Sequence, residues 1–300
     1  MITGQFDSDG QLDLLVSAPA WASTTKGDNY GALSFFEGPI KNDLSAASPD
    51  HRLELFSRAS IGHAALANLG DIDSDGLDDV AIGLTPWTYN VGTTDYPRDI
   101  VAVVTDGAVT SATDIWDAVS WSVIVESVGD DLGVVLTPAG DLDGDGYAEL
   151  VVSAPGRDVG DDDSGTAWVI SGKELNRGGV GYTDIEDAAI AEITGNYEAD
   201  QHVGAALTAP GDLDQDGLGD LLIGAPGYDS DGGAFIVYGP VSGHLQEKDL
   251  GAVIEGRAIM GADYGAALAA PGDINGLGHP DLLLYAPEKF TWHLLFTDAL

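Results

Sequence analysis

The sequence predicts an all-β fold, a β-propeller in which four-stranded antiparallel blades repeat around an axis, and two observations carry that prediction. An acidic loop with the pattern D-x-D-x-D-G-x-x-D, or a close variant of it, begins at residues 5, 71, 141, 212 and 273, so one unit recurs every 61 to 71 residues. Each loop precedes a short run of Leu and β-branched residues that small residues end, which is typical of a buried strand. Repetition at a nearly fixed spacing indicates a repeat architecture.

Each full unit is predicted to contain four strands. A run of small residues, which starts with an apolar residue and Gly, suits an innermost strand where neighbouring sheets converge; such runs begin at 61, 132, 203 and 264. The buried strand after the loop is the second strand, and runs such as 166–171 and 233–238 form the third. More polar runs such as 121–126 and 252–255 suit a fourth strand at an outer edge.

The acidic loops are predicted to bind calcium. Carboxylates at loop positions 1, 3, 5 and 9 direct hard oxygen ligands at one point, as Ca²⁺ requires, and position 7 offers a backbone oxygen. The predicted ligands are Asp7, Asp9 and Asp13 in the first loop; Asp71, Asp73, Asp75, Leu77 and Asp79 in the second; Asp141, Asp143, Asp145, Tyr147 and Glu149 in the third; and Asp212, Asp214, Asp216, Leu218 and Asp220 in the fourth.

Two loops depart from the pattern, so three to four bound ions are expected. The first loop has Gln5 at position 1, and the fifth, from Asp273 to Asp281, has Leu277 at position 5, so we expect weak or no calcium there. An EF-hand is the main alternative, but its loop ends with a bidentate Glu at position 12 between two helices. Position 12 is apolar in the four clear copies, and the strand already begins after position 9.

An apolar residue and Gly, an acidic loop, and a strand that ends in Gly-Ala-Pro or Ser-Ala-Pro occur together in this chain. This combination resembles the FG-GAP repeat of integrin α-subunit N-terminal propellers and of bacterial FG-GAP proteins. The resemblance implies a propeller that usually has seven blades. Here five units are visible, at approximately 1–60, 61–131, 132–202, 203–263 and 264–300, with incomplete terminal blades. We interpret residues 1–300 as a single propeller domain, expected to be a segment of a longer chain whose first unit lacks a strand before its loop.

Composition excludes several classes of protein. Fifty acidic and 11 basic residues give a formal charge of −39, whereas nucleic-acid binding requires a basic face. No apolar run is long enough for a transmembrane helix, so membrane insertion is not expected, and the N-terminal residues do not resemble a signal peptide. The chain has no Cys, so metal ions rather than disulfides are expected to cross-link it.

A ligand-binding face is predicted opposite the calcium loops, as the resemblance to integrins implies. Two long loops with aromatic residues are expected there, one from Trp21 to Tyr30 and one that carries Trp87, Tyr89, Tyr96 and Arg98. Exposed aromatic residues and Arg are common in contact surfaces, although these side chains could equally fold back on the rim of the propeller.

The sequence therefore indicates a calcium-binding, non-enzymatic module for cell adhesion or surface recognition. Its partner would be a protein or carbohydrate ligand, together with other domains of the same parent protein. Loops of this type would be filled by calcium outside cells, which favours an extracellular or cell-surface location. Two alternatives stay open: a module that acts on polysaccharides, and a passive scaffold in a large surface protein. Catalytic motifs such as H-E-x-x-H and G-x-S-x-G are missing from the sequence.

Overall fold

The structure is a computed structural model of the chain. It describes residues 1–18, 31–40, 44–45, 48–54, 65–91, 94–105, 107–124, 129–176, 182–196, 198–256 and 263–297, with the backbone alone at 85–91 and 94–98. The chain forms two compact units. One comprises Met1–Leu136 and Lys173–Ala188, and the other comprises Thr137–Gly172 and Ala189–Leu300.

Strands are the main regular structure of the described residues, which also contain three helices of four residues each. The strands are β1 Ile2–Gly4, β2 Asp13–Ala18, β3 Ala32–Phe36, β4 His51–Glu54, β5 Leu66–Gly70, β6 Asp79–Val91, β7 Thr94–Val104, β8 Val119–Ile124, β9 Leu136–Pro138, β10 Leu150–Ala154, β11 Thr166–Ile170, β12 Tyr182–Asp184, β13 Ala189–Thr194, β14 Ala206–Gly211, β15 Asp220–Ala225, β16 Gly233–Val237, β17 Gly243–Gln246, β18 Ala252–Glu255, β19 Ala267–Gly272, β20 Asp281–Ala286 and β21 Thr291–Leu295. The helices are α1 Ile115–Ala118, α2 Gly172–Leu175 and α3 Ile185–Ala188. Single 3-10 turns lie at Ala108–Thr110, Tyr228–Ser230, Glu247–Asp249 and Pro287–Lys289.

The described strands form five sheets, each built on an antiparallel meander in chain order. The first unit contains the sheets β1-β2-β3-β4 and β12-β8-β7-β6-β5, and the second contains β17-β13-β11-β10-β9, β14-β15-β16-β18 and β19-β20-β21. The predicted all-β fold of antiparallel blades is confirmed. The expectation that no strand precedes the first loop is wrong, because β1 pairs antiparallel with β2. Three residues, Ile2–Gly4, are enough to complete that sheet.

Two of the sheets have a fifth strand that the sequence did not predict. β12 lies on the connection between β11 and β13, yet it pairs in parallel with β8 of the preceding sheet. In the same way β17 leaves the sheet of β16 and pairs in parallel with β13. A single bridge between Glu54 and Asp114 repeats this arrangement at the edge of β4. The connection from third to fourth strand therefore covers the outer edge of the preceding sheet, which would otherwise be open to other strands.

Consecutive repeats touch at small residues. A Cβ added to Gly224, on the second strand of its sheet, would lie 2.0 Å from the carbonyl oxygen of Gly265, which begins the next repeat. In the same way, a Cβ added to Gly83 would lie 2.1 Å from the carbonyl oxygen of Gly133. Gly133 and Gly265 also have φ values of 78° and 92°, a region that residues with a side chain rarely adopt. The Gly-Ala-Pro and apolar-Gly parts of the sequence thus form one contact between neighbouring repeats of the same compact unit.

Each unit has an apolar core between its sheets. In the first unit the core includes Phe6, Leu15 and Ile82, all fully buried. In the second unit Leu222, Ile236 and other buried residues pack between the last two sheets. These cores reach the acidic loops, because Phe6, Leu142 and Leu213, each at loop position 2, are buried. The cores therefore hold the loop ends in place.

Candidate metal sites

The first Asp of each complete loop folds the loop around its own carboxylate. Asp71 accepts hydrogen bonds from the backbone N–H groups of Asp75 and Gly76, each at 3.0 Å. The same two contacts recur in the loops at 141 and 212, at 2.9 to 3.1 Å. The Gly at position 6 has a φ between 79° and 97° in all five loops, which explains the Gly in the motif.

Carboxylate oxygens converge in three of the loops. One oxygen from each of positions 1, 3 and 9 lies within 4.8 Å of the other two; we call these groups the three-oxygen sets. They are Asp71, Asp73 and Asp79; Asp141, Asp143 and Glu149; and Asp212, Asp214 and Asp220. Oxygens that share one Ca²⁺, each about 2.4 Å from the ion, lie at such separations. The donors are all hard oxygens, so they fit a calcium ion.

Position 5 is used differently. Asp75, Asp145 and Asp216 each accept the backbone N–H of position 7, at 2.7, 3.0 and 2.8 Å. These three carboxylates lie outside the three-oxygen sets, which contain side-chain oxygens only and so do not bear on the carbonyl groups of Leu77, Tyr147 and Leu218. Their predicted role as calcium ligands therefore stays a prediction, whereas the geometry brings positions 1, 3 and 9 together.

The acid at position 9 also anchors the loop to the sheet, which sequence reasoning missed. Asp220 is fully buried at the start of β15 and accepts the backbone N–H of Leu213 at 2.5 Å. Its other oxygen accepts the N–H of Gly239, just beyond the third strand, at 3.0 Å. Glu149 makes the equivalent contacts with Leu142 and Gly172, at 2.6 and 3.4 Å. One carboxylate thus ties the loop to the end of the third strand.

Asp79 differs from these residues in the contacts that its two oxygens make with the described part of the chain. It is 1% exposed, and its Oδ2 accepts the N–H of Ile72 at 2.9 Å, but no hydrogen-bond donor among the described residues reaches the buried Oδ1. Burial raises the pKa of Asp79 to about 7, and the nearby Asp73 adds repulsion. Burial also raises the pKa of Glu149 to about 6. A cation at the three-oxygen set would favour the charged form of both groups.

The first loop has a different set. Asp7, Asp9 and Glu37 bring oxygens within 4.8 Å of one another. Asp13 is outside this set, and its two oxygens accept the backbone N–H groups of Phe6 and Gly38, at 3.1 and 2.9 Å. Glu37 was missed from the sequence because it lies beyond the third strand. Glu37 lies close to Asp7 and Asp9 because the backbone N–H of its neighbour Gly38 donates a hydrogen bond to Asp13 of the same loop.

The fifth loop keeps the fold of the others without three converging acids. Asp273 accepts three backbone N–H groups, from Gly276, Leu277 and Gly278, at 2.7 to 3.1 Å. These bonds lower the pKa of Asp273. Asp281 is buried and accepts the N–H of Ile274 at 2.9 Å. The backbone fold of this loop therefore matches that of the third loop, where Asp141 accepts the equivalent three N–H groups.

The FG-GAP repeat family matches residues 133–170 and 204–238, which span the third and fourth acidic loops. This chain carries FG-GAP repeats. The all-β blades and these matches together confirm the predicted β-propeller fold class. The two matched segments begin at Gly133 and Gly204, the glycines that open their repeats. Both segments end within or just after the third strand of their sheets.

Sequence relatives of the FG-GAP chain include integrin alpha subunits. It is 34% identical to integrin alpha-7 of Mus musculus over 144 residues, covering 48% of this chain and 11% of the relative. It is 30% identical to integrin alpha-PS2 of Drosophila melanogaster over 225 residues, covering 72% and 14%. A phosphatidylinositol-glycan-specific phospholipase D of Mus musculus is 33% identical over 162 residues, covering 52% and 18%. The chain thus spans less than a fifth of the length of these relatives.

The predicted ligand face of the FG-GAP chain differs from expectation in one place. Residues 85–98, predicted as a loop, belong to a long hairpin in which β6 and β7 extend beyond their sheet. Trp87 pairs with Arg98, and Tyr89 pairs with Tyr96. The signal in the sequence was the richness of this stretch in aromatic and β-branched residues, which favour strands. Trp21 and Tyr30 lie outside the described residues.

The part of the FG-GAP chain that the structure describes contains no helix long and apolar enough to span a membrane.

Proposed function

We propose that this chain is a calcium-stabilised, non-enzymatic recognition module that presents a ligand-binding surface in cell adhesion. The observation that carries the proposal is the recurrence of three-oxygen sets at the same loop positions, in a chain similar to integrin alpha subunits. Calcium would neutralise each loop and so hold the first and second strands of a blade in a fixed relation. The rigid blades would then present preorganised loops and hairpins to a ligand.

The residues that would hold the ions are the three-oxygen sets of loops two to four and, in the first loop, Asp7, Asp9 and Glu37. We propose three to four ions for the whole chain. The buried, unpartnered Oδ1 of Asp79 supports this assignment, because a buried charged oxygen without a partner is costly unless a cation approaches it. The formal charge of −39 supports it further, since bound ions reduce the repulsion among the acids.

Calorimetry with calcium tests the proposal directly. We expect a titration of chelator-treated protein to give three to four ions, and chelation to lower the melting temperature. Asp143→Asn should reduce the number of ions by one. Asp187→Asn is the matched control, because Asp187 is exposed on α3 and outside every acidic set. No calcium uptake by the wild-type chain, or equal effects of the two variants, would contradict the proposal.

The ligand is proposed to be a protein or a glycan, and the location to be extracellular or at a cell surface. Calcium concentrations outside cells would fill sites of micromolar to millimolar affinity. The hairpin of β6 and β7 is our proposed contact surface, because it extends beyond its sheet and contains Trp87 and Tyr89. Replacing both aromatic residues by Ala should abolish binding in a screen of immobilised proteins and glycans. Unchanged binding would place the contact elsewhere.

The similarity to a phosphatidylinositol-glycan-specific phospholipase D favours a second candidate, a module that accompanies a hydrolytic domain. This candidate predicts binding to a phosphorylated glycan, without turnover by the 300-residue chain itself. Incubation with such glycans distinguishes the candidates. Calcium-dependent binding that requires the phosphate group supports the second, and binding to proteins or to unphosphorylated glycans supports the first.

A further inference from the structure

We propose that the third and fourth acidic loops bind calcium cooperatively, so that an ion in either loop raises the affinity of the other. The inference rests on the proposed function, because it assumes that both loops bind calcium. It adds a regulation that neither loop would have alone. Both loops belong to the same compact unit, and the contacts that carry the coupling lie within that unit.

A backbone hydrogen bond joins the fourth loop to the third. The N–H of Gly219, at position 8 of the fourth loop, donates to the carbonyl oxygen of Asp141, at position 1 of the third loop, at 2.9 Å. The side chain of Asp141 belongs to one three-oxygen set, and Asp220, the residue after Gly219, belongs to the next. One hydrogen bond therefore separates a residue of one set from the chain neighbour of a residue of the other.

A second connection runs through the segment after the third strand. Asp220 accepts the N–H of Gly239 at 3.0 Å. Two residues further along, the N–H of Val241 donates to the carbonyl oxygen of Leu142 at 2.9 Å. The N–H of Leu142 in turn donates to Glu149 at 2.6 Å. Val241 and Leu142 are both buried, so this route links the position-9 acids of the two loops through the core rather than through solvent.

The two loops are also in direct contact. A Cβ added to Gly144, at position 4 of the third loop, would lie 3.5 Å from a methyl group of Leu218, at position 7 of the fourth. A Cβ added to Gly219 would lie 2.7 Å from the carbonyl oxygen of Ala139, just before the third loop. A change in the path of one loop would therefore displace the other.

The same backbone bond recurs between the first and second loops, which belong to the other compact unit. The N–H of Asp78, at position 8, donates to the carbonyl oxygen of Gln5, at position 1, at 2.8 Å. This contact is reciprocal, because Oδ2 of Asp78 accepts the N–H of Gln5 at 2.9 Å. The fifth loop, which lacks three converging acids, has Pro280 at position 8 and so has no N–H to donate there. Both loops of each bonded pair contain an acidic set.

The sign of the coupling follows from the entropy of ordering. Calcium in one loop would fix the backbone of that loop and, through these bonds, part of its neighbour, so the second ion would bind with a smaller loss of conformational entropy. Repulsion between the two ions acts in the opposite direction. Because both loops lie at the surface, salt screens this repulsion and leaves the backbone bonds in place. Cooperativity should therefore increase with salt.

Hydrogen exchange, followed by mass spectrometry during a calcium titration, reports on each loop separately. Asp143→Asn removes a carboxylate from the third loop, and we expect it to raise the calcium concentration at the protection midpoint of residues 212–220 at least about fivefold. Asp214→Asn should raise the midpoint of residues 141–149 by the same factor, because coupling between two sites is reciprocal. Glu198→Gln is the matched control, since Glu198 is an exposed acid of the same unit outside every acidic set. It should leave both midpoints unchanged.

Charge alone predicts the opposite result for Asp143→Asn. The empty variant loop keeps three acids, whereas the filled wild-type loop has four acids and a divalent cation, so the variant loop is the more negative. A cation would then bind the fourth loop more tightly in the variant. Repeating the titrations in about 0.15 and 1 M NaCl, where the Debye length is about 8 and 3 Å, separates the two effects further. The rise in midpoint should persist in 1 M salt.

Two variants at Gly219 test the backbone bond itself. Gly219→Pro removes the donor and introduces the residue type that Pro280 provides at the same position of the fifth loop. Gly219→Ala adds a Cβ at the same place but keeps the donor. The effect of Asp143→Asn on the fourth loop should be smaller in the Gly219→Pro background than in the Gly219→Ala background.

The outcomes distinguish failure of the coupling from failure of the proposed function. If calcium protects neither wild-type loop, the proposed function and the coupling are both overturned. If calcium protects both wild-type loops, but each midpoint is unchanged or lowered by the variant in the other loop, the coupling alone is overturned. A rise in midpoint that disappears in 1 M salt would also overturn it, because hydrogen bonds between backbone groups are not screened in this way.

Discussion

Replacing Asp79 by Asn should have opposite effects on stability in calcium-free and calcium-saturated protein. Without calcium, ionised Asp79 is buried near the carboxylates of Asp71 and Asp73, and no hydrogen-bond donor of the described residues reaches one of its oxygens. An Asn amide removes the charge and places N–H donors toward those carboxylates, so the variant should be more stable than the wild type at pH 8. With calcium, the variant loses a ligand and should be less stable.

The magnitude follows from the pKa of Asp79. Folding raises it from 3.8 to about 7, so the folded protein holds the proton more tightly than the unfolded chain. The favourable contribution is complete below about pH 4 and is lost as the pH rises through about 7. The two pKa values differ by about 3 units, and each unit corresponds to about 1.36 kcal/mol. Ionisation of Asp79 therefore lowers the free energy of unfolding by about 4 kcal/mol at pH 8. Burial of the Asn amide also has a free-energy cost. We therefore expect the free energy of unfolding of the calcium-free variant to exceed that of the wild type by about half of this value, roughly 2 kcal/mol.

Urea unfolding at pH 5, 6.5 and 8, with a chelator and with excess calcium, measures this effect without the screening that a salt denaturant causes. Asp13→Asn is the matched control. Both oxygens of Asp13 accept backbone N–H groups, so its replacement should destabilise the protein with and without calcium. If chelated Asp79→Asn were less stable than the wild type at pH 8, or if its advantage did not grow from pH 5 to pH 8, the reasoning would be refuted.

Three further changes test other parts of the structure. Glu37→Gln should weaken calcium binding at the first loop alone and so remove one step from a calorimetric titration, whereas retention of every step would show that Glu37 is not a ligand. Leu277→Asp restores the position-5 acid of the fifth loop and should add one bound ion in equilibrium dialysis, while Leu277→Asn should add less. Gly224→Ala should lower the free energy of unfolding by about 2 kcal/mol or more, because its Cβ meets the carbonyl of Gly265. Ser153→Ala, at the equivalent position that already carries a Cβ, should cost less, and equal losses would contradict the close-approach argument.

Much of the fold could be predicted because its signals are local. The acidic loops, the glycines at position 6 and the buried runs after each loop are set by turn conformation and by burial, both of which act over a few residues. The second strands therefore begin within one residue of the loop ends, as at Asp79 and Leu150. The hairpin at 85–98 differs from the predicted loop, because β6 and β7 continue to pair beyond the end of their sheet.

By itself, the sequence determined the repeat, its β character and the acids at loop positions 1, 3 and 9, since these depend on residue type and spacing. Tertiary structure alone decided which groups meet across long separations. It brought Glu37 to Asp7 and Asp9, left Asp79 with an unpartnered oxygen, and sent β12 and β17 to the edges of preceding sheets. The physical reason is that strand pairing and burial join residues 20 to 60 positions apart, and no periodic signal in the sequence records such contacts.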